Sequence, residues 1–241
     1  MRAMAGDLEL PTACGSAALV IYHAYRSRRP AGSPPPNSKV EMDWWRIEAS
    51  ACILVAAKVN EVPRKVRDVV NVAHQRTWPR TEPLEVGATF WDIRDAVVAS
   101  EQDVLRALGF SIQPPLPFNY LLNYLKALDA TAMLSATSFS ILNESFDLPL
   151  CIYFEPHEIA AACIYIASTL LNIPLPSRQD DAGQEISWND VVAVTAPRLE
   201  ELGSLIMGHV EALASIHKAP GDPRNGRGGM DGREGGMGIW G

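Results

Sequence analysis

Apolar residues recur along most of the chain at the three- and four-residue spacing of an amphipathic helix. No stretch alternates apolar and polar residues strictly between hairpin signals, so a β-sheet is not expected. The spacing predicts helices over residues 11–25, 41–59, 66–74, 88–108, 118–128, 131–146, 155–172, 188–194 and 198–217. We therefore expect an all-α fold.

Proline and glycine mark the connections between these helices. Residues 28–39 contain four prolines and are predicted to form a linker, because proline cannot sit inside a helix. A further proline cluster at residues 114–117 lies near the middle of the chain. Residues 218–241 are rich in glycine and poor in large apolar side chains, so we expect a disordered tail that cannot bury enough surface to order itself.

The chain also carries an internal repeat at an offset of 111 residues, where EASACILVAAKV lies on IAAACIYIASTL. Chance matching of two alanine-rich helices accounts for three of the identities, but not for the Cys-Ile pair or for Pro63 falling on Pro174. We interpret the pattern as a duplication. It predicts a first repeat over residues 8–112, a second over residues 117–217, and the tail over residues 218–241.

Composition narrows the classes of function. The net charge of −7 gives no electrostatic reason to expect nucleic acid, and no apolar run reaches the ~18 residues of a membrane span. The four cysteines show no CxxC pair, and no secretory leader is visible at residues 1–10, so a reduced intracellular location is expected. Histidine spacing and loop motifs predict no metal, no cofactor and no catalytic site.

Two charged residues interrupt apolar helical surfaces. Lys58 lies three residues after Val55, and the matching position of the second repeat is Thr169. Glu101 lies four residues after Val97 and four before Leu105. Because an isolated buried charge is very costly, each must be solvated at the edge of its apolar stripe, pair with the other, or meet a partner.

Several segments resemble the cyclin family. ILVAAKVNEVP, which contains Lys58, resembles the cyclin-box motif in which a helix ends in Ala-Lys followed shortly by Glu and Pro. SEQDVLRALGFSI, which contains Glu101, resembles the cyclin pattern Glu-x-x-(apolar)-Leu-x-x-Leu-x-Phe. DVVNVAHQR, the Phe90-Trp91 segment and FNYLLNYLKAL look most like the cyclin-Q (cyclin-M-type) branch. The similarity covers about residues 8–214.

This resemblance implies two tandem cyclin-like five-helix bundles and a regulatory, non-catalytic protein of the nucleus or cytoplasm. Its partner would be a cyclin-dependent serine/threonine kinase, which it would activate in cell-cycle or transcriptional phosphorylation. If the roles of the matching cyclin residues apply here, Lys58 donates to kinase carbonyls. Glu101 then accepts from kinase N–H groups and orients Lys58. The other expected contacts, which alternatively are core or surface residues, are Glu61, Val55, Val59, Leu105, Leu108 and Phe110.

The sequence departs from the family at its start. Only about seven residues precede the first matching segment, so the first bundle is expected to lack its N-terminal helix. Two other functions stay open. A general-transcription-factor type of cyclin fold would bind DNA and a polymerase through a basic face, and a degenerate cyclin scaffold would bind a kinase without activating it.

Overall fold

The computed structural model describes residues 1–29, 42–80, 82, 84–179 and 185–218. Nearly all of the predicted linker and tail therefore lies outside the described residues. The predicted helices form, with ends within about three residues of those expected. In chain order the helices are α1 (Arg2–Asp7), α2 (Thr12–Arg28), α3 (Trp44–Val59), α4 (Val66–Thr77), α5 (Ala88–Ala107), α6 (Phe118–Ala127), α7 (Ala132–Ser145), α8 (Pro156–Leu171), α9 (Trp188–Val191) and α10 (Ala196–Lys218).

The first half of the chain packs around α3. This helix contacts α2, α4 and α5, and every residue from Ile47 to Ala57 is buried. Its small side chains, such as Ala51 and Cys52, let the neighbouring helices approach closely, while Ile53 and Leu54 fill the space between them. The result is one continuous apolar cluster made by the first five helices.

The second half packs around α8 in the same manner. α8 contacts α6, α7 and α10, and its residues Ala162, Cys163 and Ile164 are fully buried. The helix begins with Pro156 in its first turn and with a reciprocal capping box between Glu155 and Glu158, two features that favour helix initiation. This cluster is separate from the first, although α2 adds Leu19 and Val20 to it.

The ends of α3 and α8 show the duplication in the backbone. In the turn after α3, Glu61 is left-handed at φ 56°, and in the turn after α8, Asn172 is left-handed at φ 51°. In both turns the following amide reaches back to a helix carbonyl, from Val62 to Ala57 and from Ile173 to Ser168, at 2.9 Å. The two left-handed residues lie at the repeat offset of the sequence.

The expectation that the first bundle lacks an N-terminal helix is corrected by α1. Residues 2–7 form a short helix whose Met4 and Ala5 are buried, so the first cluster begins before residue 8. α1 approaches α2 so closely that a Cβ at Gly15 would stand 3.3 Å from the Cβ of Ala5. Because α1 has only six residues, its sequence gives no recognisable helical pattern. Its stability therefore depends on packing against the rest of the fold.

Arginine side chains hold α1 against both halves of the fold. Arg64 donates from Nε to the carbonyl of Leu8 at 2.7 Å, and Arg76 forms a two-pronged ion pair with Asp7 at 2.6 Å. On the other side, Arg2 contacts Glu144 at 3.0 Å and also binds Asp147 and the Asn143 carbonyl at the end of α7. α1 therefore links the two clusters.

The expectation of no sheet also needs correction. Two three-residue strands, β1 (Ser177–Gln179) and β2 (Glu185–Ser187), pair antiparallel with Ser177 opposite Ser187. They are too short to show alternation in the sequence, and they flank a stretch predicted as a polar loop. A 3-10 helix, Pro149–Ile152, was likewise not predicted.

Candidate partner-binding site

Lys58 and Glu101, which lie 43 positions apart in sequence, meet in the structure. The Lys58 Nζ atom donates to Glu101 Oε1 at 2.5 Å. The Lys58 side chain is 52 % exposed, whereas that of Glu101 is only 12 % exposed. Of the possibilities left open by the sequence, the two residues pair, and they do so where solvent or another protein can reach the ammonium group.

The pair is positioned by the packing of α3 against α5. Lys58 stands in the last turn of α3, just beyond the buried run that ends at Ala57. Glu101 follows the buried Ser100 and precedes Val104 by three residues on α5. Because core residues directly beside the charges fix both helices, the backbone holds the two side chains within reach of each other.

Each member of the pair keeps hydrogen-bonding capacity. Lys58 carries three N–H donors, and Glu101 Oε1 takes one of them. Among the residues that the structure describes, none donates to Glu101 Oε2. A partner backbone could therefore offer a carbonyl to Lys58 and an N–H group to Glu101, and bonds of this charge-assisted kind are the stronger ones.

The backbone next to the pair adopts an uncommon conformation. The turn after α5 contains two consecutive left-handed residues, Gly109 at φ 58° and Phe110 at φ 59°. The Phe110 amide donates to the Leu105 carbonyl at 3.0 Å, which fixes the turn. Left-handed conformations are costly for residues other than glycine and tend to occur at functional sites. Here the turn holds the Phe110 ring 69 % exposed.

An open groove runs between the ends of α3 and α5. Its lining includes Lys58, Val59, Glu61 and Phe110, together with the segment 111–113. Glu61 is exposed and left-handed, so the structure places this predicted acidic residue beside the pair. Val59 and Leu105 are partly buried and pack on the first cluster while keeping some surface.

Two of the predicted partner contacts, Val55 and Leu108, keep almost no surface for a partner. Val55 is 2 % exposed and Leu108 is 4 % exposed, and both belong to the core of the first cluster. Helical spacing placed them near the charges but could not tell the inner side of the stripe from its outer edge. The predicted set that retains surface is therefore Lys58, Glu101, Glu61, Val59, Leu105 and Phe110.

Sequence reasoning missed a second charged cluster at the opposite end of α3. Glu48 is 1 % exposed and contacts Arg26 at 3.3 Å, Arg29, and the Tyr25 hydroxyl at 3.4 Å. Burial raises the pKa of the Glu48 carboxyl, and the two arginines oppose that shift. The signal available in sequence was a lone glutamate ahead of an alanine-rich buried run. Because it is enclosed, this cluster is structural.

The cysteines form no disulfide with one another. Cys14, Cys52 and Cys163 are buried and unpaired with one another, and burial raises the pKa of each thiol. Within the described ranges, no three His, Cys, Asp or Glu side chains are placed to hold a metal ion. In the same ranges, no helix is both long and apolar enough to cross a membrane.

Comparison with curated proteins gives cyclin-L relatives. No family model matches the chain. Cyclin-L1 of Danio rerio is 35 % identical over 139 residues, which is 56 % of this chain and 28 % of that protein. Cyclin-L2 of Homo sapiens is 34 % identical over 134 residues, 53 % of this chain and 26 % of that protein. The chain thus matches about a quarter of the length of these relatives, and the cyclin-Q subtype is not confirmed.

Comparison with solved structures finds a chain with a similar fold. A chain in the crystal structure of the yeast RNA Pol II CTD kinase CTDK-1 complex matches with a TM-score of 0.66. The match covers 86 % of this chain and 61 % of that chain at 15 % identity. At this identity the likeness shows the fold alone.

Proposed function

Because the chain belongs to the cyclin family, we propose that it is a regulatory subunit that binds a cyclin-dependent serine/threonine kinase and favours the kinase's active conformation. The observation that carries the proposal is the Lys58–Glu101 pair, with its spare donors and its spare acceptor at the edge of the first cluster. The cyclin-L relatives and the neighbour from a kinase complex support the same class of partner.

The physical mechanism lies in differential binding. A protein kinase needs the lysine of its third strand paired with the glutamate of its mobile helix. In the active state of the kinase this pair is formed, and in the inactive state it is not. A subunit that binds the active state more tightly shifts the kinase population toward that state. The shift in free energy cannot exceed the difference between its binding free energies for the two states. The rigid ends of α3 and α5 suit this role, because a preformed surface loses little freedom on binding.

We assign each surface residue a part in this contact. Lys58 donates to carbonyls of the kinase and Glu101 accepts from its N–H groups. Phe110 supplies the exposed apolar contact, and Val59 and Leu105 flank it. Glu61 gives the groove a negative edge that suits a basic side chain on the kinase. The complex would act in nuclear or cytoplasmic phosphorylation during transcription or the cell cycle.

The test is co-expression of the full chain with cyclin-dependent kinases, followed by co-purification and a phosphorylation assay. Lys58→Ala and Glu101→Ala should each weaken binding by at least tenfold, since truncating one member of a desolvated charged pair costs about 2–5 kcal/mol. Thr169→Ala is the matched control, because Thr169 holds the position equivalent to Lys58 in the second repeat.

The same experiment separates the alternatives. A stable complex with no gain in phosphorylation would indicate a scaffold that does not activate. Failure of every kinase to co-purify, together with binding to duplex DNA, would indicate the transcription-factor type. Unchanged kinase binding in both alanine variants would remove the Lys58–Glu101 surface from the proposed function.

A further inference from the structure

A cavity of about 250 Å³ lies at the side of the second cluster where α2 packs on it, away from the Lys58–Glu101 pair. It is bounded by α2, by the proline-containing connection at residues 115–117, by the end of α7, and by the segment from the 3-10 helix to the start of α8. An apolar cavity of ~150 Å³ is large enough to hold benzene, so this one can hold a bicyclic ring.

Most of the residues that line the cavity are apolar, although polar atoms supply a substantial share of the lining surface. Phe146, Leu150 and Phe154 contribute side chains from the second cluster, and Val20 contributes from α2. Two phenyl rings in one small cavity favour a flat aromatic ligand, which can stack on one ring or meet the edge of the other. A ligand in this position would contact α2 together with the elements of the second cluster.

His23 provides a polar group of defined character. Its Nε2 atom lies 3.0 Å from the Phe146 carbonyl, which can only accept, so Nε2 carries the proton. Burial lowers the pKa of His23, so the ring is neutral and its Nδ1 atom is an acceptor. Within the described part of the chain, no group donates to Nδ1. A ligand that offers an N–H or O–H group would complete this site.

The remaining polar side chains of the cavity are those of Ser145, Cys151 and Glu155, and the Ser145 hydroxyl already donates to the Leu142 carbonyl. Burial raises the pKa of the Cys151 thiol to about 11, so this residue is neutral at physiological pH. Glu155 places a carboxylate at the cavity, which repels anions, but this carboxylate already caps α8. Because Glu155 is also exposed, its carboxylate stays solvated at the edge of the cavity and gives a cation no buried counter-charge, so a neutral ligand is favoured.

We propose that this cavity binds a small, uncharged aromatic molecule that carries one hydrogen-bond donor. The ring lies among Phe146, Leu150 and Phe154, and the donor points to Nδ1 of His23. The site is independent of the kinase-binding surface, so its failure and the failure of the proposed function are distinguishable.

The experiment uses indole as the probe, titrated into the full chain and followed by protein-observed NMR and by thermal unfolding. We expect saturable binding with a Kd near or below about 1 mM. At about five times Kd the melting temperature should rise by about 2–4 °C. Benzofuran has nearly the same shape but no N–H group, and it should bind about threefold to tenfold more weakly.

Two variants locate the site. Cys151→Trp fills the cavity and should weaken indole binding at least tenfold, while Met133→Trp adds the same ring at an exposed position of α7 and should leave binding unchanged. Should Cys151→Trp not fold, the comparison of indole with benzofuran on the unmodified chain still decides the matter. No saturation by about 10 mM indole, equal binding of benzofuran, or equal binding by a folded Cys151→Trp chain would overturn the proposal.

A final binding measurement distinguishes a free small molecule from a side chain of a partner protein as the occupant of the cavity. The tripeptide Gly-Trp-Gly carries the same ring and donor on a peptide backbone. Weaker binding of this peptide than of indole supports a free small molecule. Binding at least tenfold tighter than indole would overturn that assignment in favour of a tryptophan from a partner.

Discussion

The two charged clusters on α3 should respond very differently to mutation. Glu48 is enclosed, and Glu48→Ala removes the carboxylate that Arg29, Arg26 and Tyr25 contact, together with the volume of the side chain. Breaking a buried ion pair from one side costs about 3–5 kcal/mol. Because Arg26 is 36 % exposed and can turn toward water, we expect the lower end, about 3 kcal/mol. That is a large fraction of the ~5–15 kcal/mol by which domains are stable.

The assay is urea unfolding followed by far-ultraviolet circular dichroism, with Lys58→Ala as the matched ion-pair variant on the same helix. Lys58 is half-exposed, so its loss should change the free energy of unfolding by no more than about 1 kcal/mol. Glu48→Gln keeps the shape and some hydrogen bonds and should fall between the two. A Glu48→Ala chain as stable as Lys58→Ala would refute the reasoning that burial separates the structural cluster from the partner surface.

Three further predictions concern the remaining features. Arg2→Ala should lower the free energy of unfolding by about 1–2 kcal/mol and speed proteolysis between α1 and α2, because the Arg2 contact with Glu144 is lost. Cys52 and Cys163 should resist Ellman's reagent in the folded chain at pH 8 and react after unfolding, since burial raises the pKa of both thiols. Burial lowers the pKa of His23, so the unfolded chain takes up a proton first and stability should fall as pH drops below about 6.5; His23→Gln should flatten that slope.

The meeting of Lys58 and Glu101 could be predicted because two signals agreed. Each charge interrupts an apolar stripe, and each belongs to a motif that resembles the same family. The depth of the neighbouring residues could not be predicted. Val55 and Leu108 lie on the same apolar stripes as the charges, yet both are buried. The packing of neighbouring helices decides which residues of a stripe are covered, and the periodicity of the sequence carries no information about that packing.

Short elements were missed for a different reason. α1 has six residues, and the paired strands have three each, so none provides a period long enough to recognise. These elements are stabilised by distant partners: Arg64 and Arg76 hold α1 although they lie more than 50 positions away in sequence. The Glu48 cluster escaped prediction likewise, because its arginines come from the last turn of α2 and from the residue that follows that helix.

We propose that Lys58 and Glu101 act on a kinase through their own free donors and acceptor, and not merely by holding α3 to α5. The most direct test is the charge swap, Lys58→Glu combined with Glu101→Lys, assayed for kinase affinity alongside the single variants. The swap keeps an ion pair between the helices, but it exchanges the positions of the hydrogen-bond donor and the hydrogen-bond acceptor that a kinase would meet. We expect a folded chain whose kinase affinity stays at least tenfold below that of the unmodified chain. A swapped chain that binds the kinase as tightly as the unmodified one would contradict it.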